Sequence, residues 1–260
     1  MAFNTVFKRV EVKYLIPADK AAAFRAAMEP YMQLDEYGLT TIQNIYFDTE
    51  DNTLIRRSLD KPPYKEKLRL RSYGVPGNES TVFVEIKKKV GGVVYKRRAA
   101  MSLAEANDFL LEGRMPLVDS QIIRELAYFR SFYKPVPRLF IAYDREAFYG
   151  KQDPALRMTL DRNIRYREED LDLTKGSEGT LLDEDGGVLL EIKCNGALPL
   201  YVTRVLTALR IFPVSFSKYG RIYTVMNQKE ASPAGAGQPA AEAERQPVRM
   251  GSRVLTGVMI

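Results

Sequence analysis

The chain of 260 residues is 45% hydrophobic and 28% charged and carries a net charge of +6; it is long enough for one sizeable core, and its balance favours anionic partners. It contains no histidine, which excludes imidazole acid–base catalysis, phosphohistidine, Ser-His-Asp triads and histidine metal sites. The single cysteine, Cys194, excludes an intrachain disulfide.

Residues 7–16 predict a strand. Residues 17–32 predict a helix with Ala22, Phe24, Ala27, Met28 and Tyr31 as apolar positions, ended near Glu29 by Pro30. Residues 41–48 predict a second strand, 53–59 a short helix and 64–73 a third strand. Gly74-Val75-Pro76-Gly77-Asn78 is a turn. A strand over 81–89 then turns at Gly91-Gly92 into a hairpin partner over 93–99. Ser102-Leu103-Ala104-Glu105 is a capping box that opens a helix to about Leu111. Another helix runs over 120–132 with Ile122, Ile123, Leu126, Phe129 and Phe132 inward. Strands follow over 138–148 and 157–165. Residues 168–185 are acidic and turn-rich, a loop or lid over one end. A strand over 189–193 and a helix over 200–211 precede Ser215-Phe216-Ser217-Lys218-Tyr219-Gly220-Arg221 and an apolar run to Met226. The expected domain is therefore 1–226. From Asn227 the composition turns to Ala, Pro, Gly, Glu and Gln, which predicts a disordered tail over 227–260, with Val254 to Ile260 a candidate segment for a protein partner.

The strands share one pattern. With period two, Thr81, Phe83, Glu85, Lys87 and Lys89 fall on one face, and Val82, Val84, Ile86 and Lys88 on the other. The charged faces together carry the cations Arg9, Lys13, Lys67, Arg69, Arg71, Lys87, Lys89, Arg145, Arg157 and Lys193, ten against the four acids Glu11, Glu85, Asp161 and Glu191. An α+β fold accommodates this as a closed antiparallel β-barrel whose apolar rows face outward under flanking helices and whose charged rows line a wet interior. Crowded cations repel strongly at low dielectric, so such a tunnel is expected to hold a polyanion. The carboxylates would then be metal ligands or local charge balance. With no histidine, a metal would be Mg2+ or Mn2+.

The stretches Glu11-Val12-Lys13-Tyr14, Ile45-Tyr46-Phe47-Asp48, Leu68-Arg69-Leu70-Arg71, Phe83-Val84-Glu85-Ile86-Lys87, Tyr143 to Phe148, Leu160-Asp161, Leu190-Glu191-Ile192-Lys193 and Phe216-Ser217-Lys218-Tyr219 occur in one order. In that order they resemble the triphosphate tunnel metalloenzymes, and within them the VTC (vacuolar transporter chaperone) polyphosphate-polymerase domain, over about residues 5–226. The resemblance implies a basic tunnel that binds ATP and polyphosphate with Mn2+ or Mg2+ and transfers the γ-phosphate to a growing chain. It implies that Lys13, Arg69, Arg71, Lys87, Arg145, Arg157 and Lys218 grip phosphates, and that Tyr143 and Ser217 orient them. Lys89, Lys96, Arg98 and Lys193 would also bind substrate, and the Lys96-Arg97-Arg98 cluster would extend the grip toward a tunnel mouth. Glu191 would hold the metal, and Glu85 would be a second metal ligand or a charge balance. The tunnel triphosphatases begin with Glu-x-Glu-x-Lys, whereas here Arg9 stands at the first Glu. That departure favours a polymerase over one alternative, a triphosphatase, and the presence of Glu191 favours catalysis over the other, a non-catalytic polyphosphate or inositol-polyphosphate sensor. A nucleic-acid-binding barrel is the least expected reading, because exposed stacking aromatics among the cations are few. No signal peptide is visible and no stretch approaches the ~18 apolar residues of a membrane span, so the expected location is cytoplasmic.

Overall fold

The computed structural model describes residues 9–231 apart from Gly92 and Glu184; the side chains of Arg9, Glu230 and Ala231 also lie outside the described set. Its elements in order are β1 (Arg9–Ile16), α1 (Ala18–Met28), β2 (Met32–Asp48), α2 (Thr53–Leu59), β3 (Tyr64–Tyr73), β4 (Thr81–Val90), β5 (Val93–Ser102), α3 (Leu103–Asn107) with a π turn over Asp108–Glu112, α4 (Gln121–Tyr133), β6 (Val136–Gly150), β7 (Arg157–Arg167), β8 (Thr180–Leu181), β9 (Val188–Asn195), α5 (Leu200–Ala208) and α6 (Lys218–Ala231). The domain limit expected at residue 226 thus falls inside α6. The tail segment 232–260 lies outside the described residues.

The strands form one antiparallel sheet in the order β1-β9-β7-β6-β2-β3-β4-β5, with β8 added beside β7. The barrel expected from the charge pattern is not closed: among the described residues no ladder joins β1 to β5. The outer edge of β1 is met instead by the segment that leads into α6, where the Val214 amide donates to the Lys13 carbonyl at 2.8 Å. The sheet is nonetheless strongly curled. Lys13 of β1 donates to the Phe216 carbonyl at 3.2 Å and Lys67 of β3 to the neighbouring Ser217 hydroxyl at 2.9 Å, although β1 and β3 are separated by four strands in the sheet.

Alternation sorts the strand residues onto two faces. On the convex face, Leu68, Leu70, Val82, Val84, Ile86, Phe140 and Ala142 pack under α3, the π turn and α4. Tyr14, Met158, Leu160, Leu190, Ile192 and Cys194 pack under α1 and α5. The helices answer with residues at helical spacing: Ala21, Phe24 and Met28 from α1, and Ile123, Leu126 and Phe129 from α4. Ser120 caps α4 by accepting from the Ile123 amide at 3.2 Å. Phe132, expected inward, is 65% exposed.

A third apolar cluster lies on the concave face, around α6 and reaching along β2 to Ile42, the partner of Tyr73. Ile42, Tyr46, Leu139, Ile141, Tyr143 and Leu189 surround Tyr219 and Ile222 of α6. Ile164 and Tyr166 join them because β7 changes register against β6 between Ala142 and Asp144, with Asn163 at φ +50°. The shift turns the even-numbered Ile164 and Tyr166 inward beyond Asn163. Asp48, fully buried, ties α6 to α2. It accepts from the Leu54 and Ile55 amides of α2 at 2.8 and 2.9 Å and from the Tyr219 hydroxyl at 3.0 Å. The acidic segment after β7 is fastened by Arg167, which donates to the carbonyls of Asp170, Asp172, Gly176 and Glu178. Its Leu182 packs against the third cluster. Among the described residues no helix is long and apolar enough to cross a membrane.

Candidate functional site

The rest of the concave face is polar. Register places Glu11 and Lys13 of β1 beside Lys193 and Glu191 of β9, then Thr159 and Asp161 of β7. Arg145 and Tyr143 of β6, Asn44 and Tyr46 of β2, and Lys67, Arg69 and Arg71 of β3 continue the wall. Glu85 and Lys87 of β4 and Lys96 and Arg98 of β5 complete it. Ser217 and Lys218, at the start of α6, face this wall at the closed end.

Four carboxylates organise most of the cations. Glu85, buried, pairs with Arg69 through Nη2 at 2.6 Å, with Lys96 at 2.9 Å and with Arg98 at 2.5 Å. Asp161, 0% exposed, receives Arg145 in a two-pronged contact at 2.6 and 2.8 Å and Lys218 at 2.5 Å. Glu191 lies 3.2 Å from Lys13, 3.4 Å from Lys193 and 3.9 Å from Lys218. Glu11 reaches the same Lys13 and Lys193 at 3.5 and 3.9 Å. Burial alone would raise all four carboxyls, but the surrounding cations win. Lys218, Lys13, Lys193 and Arg145 hold Glu191 far below the carboxylate range, and Arg69, Arg71 and Lys96 do the same for Glu85. Asp161 and Glu11 are likewise lowered.

Three cations stand apart. Lys67, Arg71 and Lys87 make no ion pair with a carboxylate among the described residues. Arg71, buried, is aimed by neutral groups: its Nε donates to Asn44 Oδ1 at 2.9 Å and its Nη2 to the Tyr143 hydroxyl at 3.0 Å. Lys67 Nζ donates to Ser217 Oγ at 2.9 Å. Burial, reinforced by Lys65, Lys87 and Lys13, pushes the Lys67 ammonium down to about 8, against a partial counter-effect of Tyr46. Lys87 is exposed on the same face. Positive charge held by neutral donors and acceptors remains available to an incoming anion, whereas charge already matched by Glu85 or Asp161 is partly spent on the protein.

The structure brings Lys13, Arg69, Arg71, Lys87, Arg145, Lys218, Tyr143, Ser217, Lys96, Arg98, Lys193, Glu191 and Glu85 onto this one face. Arg157 and Lys89 lie farther out, both exposed; Arg157 stands over the Tyr149 ring at 5.7 Å. Lys67, Glu11 and Asp161 lie on the wall as their place in the charged rows implies, without an individual role given by sequence, whereas the neutral Asn44 and Tyr46 carry no charge signal that would place them there. Glu11 had a sequence signal. Glu11-x-Lys13 and Glu191-x-Lys193 run antiparallel in register, so each Glu faces a Lys and the two carboxylates share both lysines.

A divalent cation fits this donor set. Among the described residues no cluster of three or more Cys, His, Asp or Glu side chains exists, but Glu191 and Glu11 flank the same two lysines. The Thr159 hydroxyl, on the strand position paired with Glu191, lacks a hydrogen-bond partner. One or two carboxylates, with phosphate oxygens and water as the other ligands, is the usual arrangement for Mg2+.

Comparison with known proteins agrees with this architecture. A candidate adenylate cyclase from Bacillus halodurans superposes with a TM-score of 0.51 at 15% identity, over 80% of this chain and 93% of that one. A second candidate adenylate cyclase, from Vibrio parahaemolyticus, gives 0.45 at 11% identity, over 84% and 98%. The PH1819 protein from Pyrococcus horikoshii gives 0.43 at 13% identity, over 84% and 99%. At such identities the likeness concerns the fold alone, and the first of the three carries it. No curated protein matches the sequence. The profile of the VTC domain matches residues 8–227, most of the chain. The chain belongs to the VTC domain family.

Proposed function

We propose that the protein is a metal-dependent phosphotransferase that moves the γ-phosphate of ATP onto a growing polyphosphate chain held against the concave face. The observation that carries this reading is the set of cations without carboxylate partners, Lys67, Arg71 and Lys87, on the curled face of a VTC domain. A polyanion supplies the negative charge that the protein withholds there.

In this reading Arg71 grips phosphate oxygens with its remaining N–H groups, while Asn44 and Tyr143 keep its plane fixed. Lys67 and Lys87 act as point charges. Arg69, Arg145 and Lys218, anchored by Glu85 and Asp161, form a rigid second row whose exchange between carboxylate and phosphate costs little reorganisation. Ser217 accepts from Lys67 and from the Gly220 amide at 3.2 Å, leaving its hydroxyl proton for a phosphate oxygen. Glu191, with Glu11, would hold Mn2+ or Mg2+, which when bound neutralises phosphate charge. Glu85, matched to three cations, serves as charge balance. A terminal oxygen of the acceptor chain attacks the γ-phosphorus, the bond to the bridging oxygen breaks, and ADP leaves. The attacking oxygen is already ionised, so no histidine base is needed.

Titration of inorganic triphosphate into the protein tests the site. Replacing Arg71 and Lys87 together by Ala removes two charge-assisted contacts worth about 1.5–3 kcal/mol each, so affinity should fall by two orders of magnitude or more. Unchanged affinity would place the anion elsewhere.

A further inference from the structure

We propose that Tyr73, at the open end of the concave face, is the stacking platform for the base of the bound nucleoside triphosphate. The proposal rests on the reading of the wall as a nucleoside-triphosphate site and adds where the nucleoside end lies.

Along β3 the inward residues run Lys67, Arg69, Arg71, Tyr73. Three phosphate-binding cations are thus followed, two residues on, by an aromatic ring. Tyr73 is 50% exposed although the inward residue before it, Arg71, is 6% exposed. Toward the opposite end the face is covered by α6, where Tyr219 packs on Tyr46, the β2 partner of Arg69, and Ser217 just before the helix meets Lys67. A ligand whose phosphates reach Arg69 and Arg71 therefore has its bulky end directed toward Tyr73. The spacing agrees: Arg69 to Tyr73 is four residues of strand, about 13 Å at a rise of ~3.3 Å per residue, comparable to a triphosphate plus ribose.

The ring is held in place before any ligand arrives. Arg98 Nη2 donates to the Tyr73 hydroxyl at 3.3 Å, and Arg98 is itself fixed by Glu85 at 2.5 Å and by the Phe83 ring, whose centroid lies 4.3 Å from its guanidinium carbon. Phe83 meets Tyr73 edge-on, with centroids 5.7 Å apart at 85°. A fixed aromatic ring with an open side loses little rotamer freedom on binding a base, and stacking accepts any base because each has a π face. The same Glu85 that balances Arg69 thereby links the phosphate row to the base platform.

Calorimetric titration of ATP and of inorganic triphosphate, each into wild type, Tyr73→Ala, Tyr73→Leu and Tyr73→Phe, tests the proposal. The expected result is that Ala and Leu weaken ATP about tenfold, within the range of a lost base–aromatic stack, while triphosphate affinity stays at the wild-type value and Phe restores ATP binding. Triphosphate binding by the variants also reports that they are folded. The proposal is overturned if the Ala and Leu variants bind ATP as wild type does, or if they weaken ATP and triphosphate equally; the triphosphate site then stands without it. Should wild type bind neither ligand, the proposal and the reading beneath it fall together.

Discussion

Lys67 donates to Ser217 across the closed end of the concave face, 2.9 Å from β3 to the start of α6, with no carboxylate in between. Its ammonium is also pushed down to about 8, first by burial and then by Lys65, Lys87 and Lys13, while Tyr46 acts the other way. Triphosphate affinity should therefore be full below pH 8 and fall as the pH rises through that value, because the lost proton removes a charge the anion meets. Lys67→Arg, which stays charged throughout, should flatten the profile. Stability has the opposite sign. The unfolded chain keeps this proton up to the ordinary lysine range, so deprotonating the folded form adds stability as pH rises from about 8 toward that range. Binding titrations and chemical denaturation at pH 7 and 9 read the two effects separately.

Glu85 holds Arg69, Lys96 and Arg98 together. Glu85→Gln keeps the shape and removes the charge. Breaking a fully buried pair costs about 3–5 kcal/mol; here the three cations are a quarter to nearly half exposed, and a loss of about 1–3 kcal/mol is expected after that screening. Added triphosphate should raise the thermal midpoint of the variant more than that of wild type, since phosphate replaces the missing charge. An equal rise would mean that the anion does not reach this cluster.

Glu191→Gln should remove Mn2+- or Mg2+-dependent turnover and leave metal-free triphosphate binding intact or tighter, because Lys13, Lys193 and Lys218 lose a competing partner. Turnover at the wild-type rate would remove Glu191 from the metal site. Glu11→Gln should show a weaker form of the same effect, since Glu11 is more exposed and shares only two of those lysines.

Tyr219→Phe removes one hydrogen bond to Asp48, whose other oxygen and backbone donors remain in place. The expected cost is about 1 kcal/mol by denaturant unfolding. Ile222→Ala, at a fully buried position, should cost about 2–5 kcal/mol. Because α6 carries Lys218 and begins beside Ser217, both variants should weaken triphosphate binding as well.

The strands were legible wherever one face is buried and the other charged. The limits of β3, 64–73, follow from alternation alone. β2 begins nine residues before the expected Thr41, because its first half is largely exposed on both faces and interrupted near Gly38, at φ +56°, so no period-two signal exists there. The β7 register shift at Asn163 is a property of its pairing with β6, and it hides the inward turn of Ile164 and Tyr166. Helix α6 was read as an apolar run because its buried residues face the sheet's concave side, where the charge pattern predicted only water and phosphate. Barrel closure could not be read from alternation, which fixes the face of each residue but not the distance between the two outer strands. The cationic wall, by contrast, followed from counting charges on one face.

The most direct measurement of the central claim is product analysis. The purified protein is incubated with ATP and Mn2+ or Mg2+, and the products are separated on a gel that resolves polyphosphate, with ADP measured alongside. A ladder of phosphate chains with matching ADP is the expected result. Orthophosphate without a ladder, or tight triphosphate binding with no turnover, would contradict it.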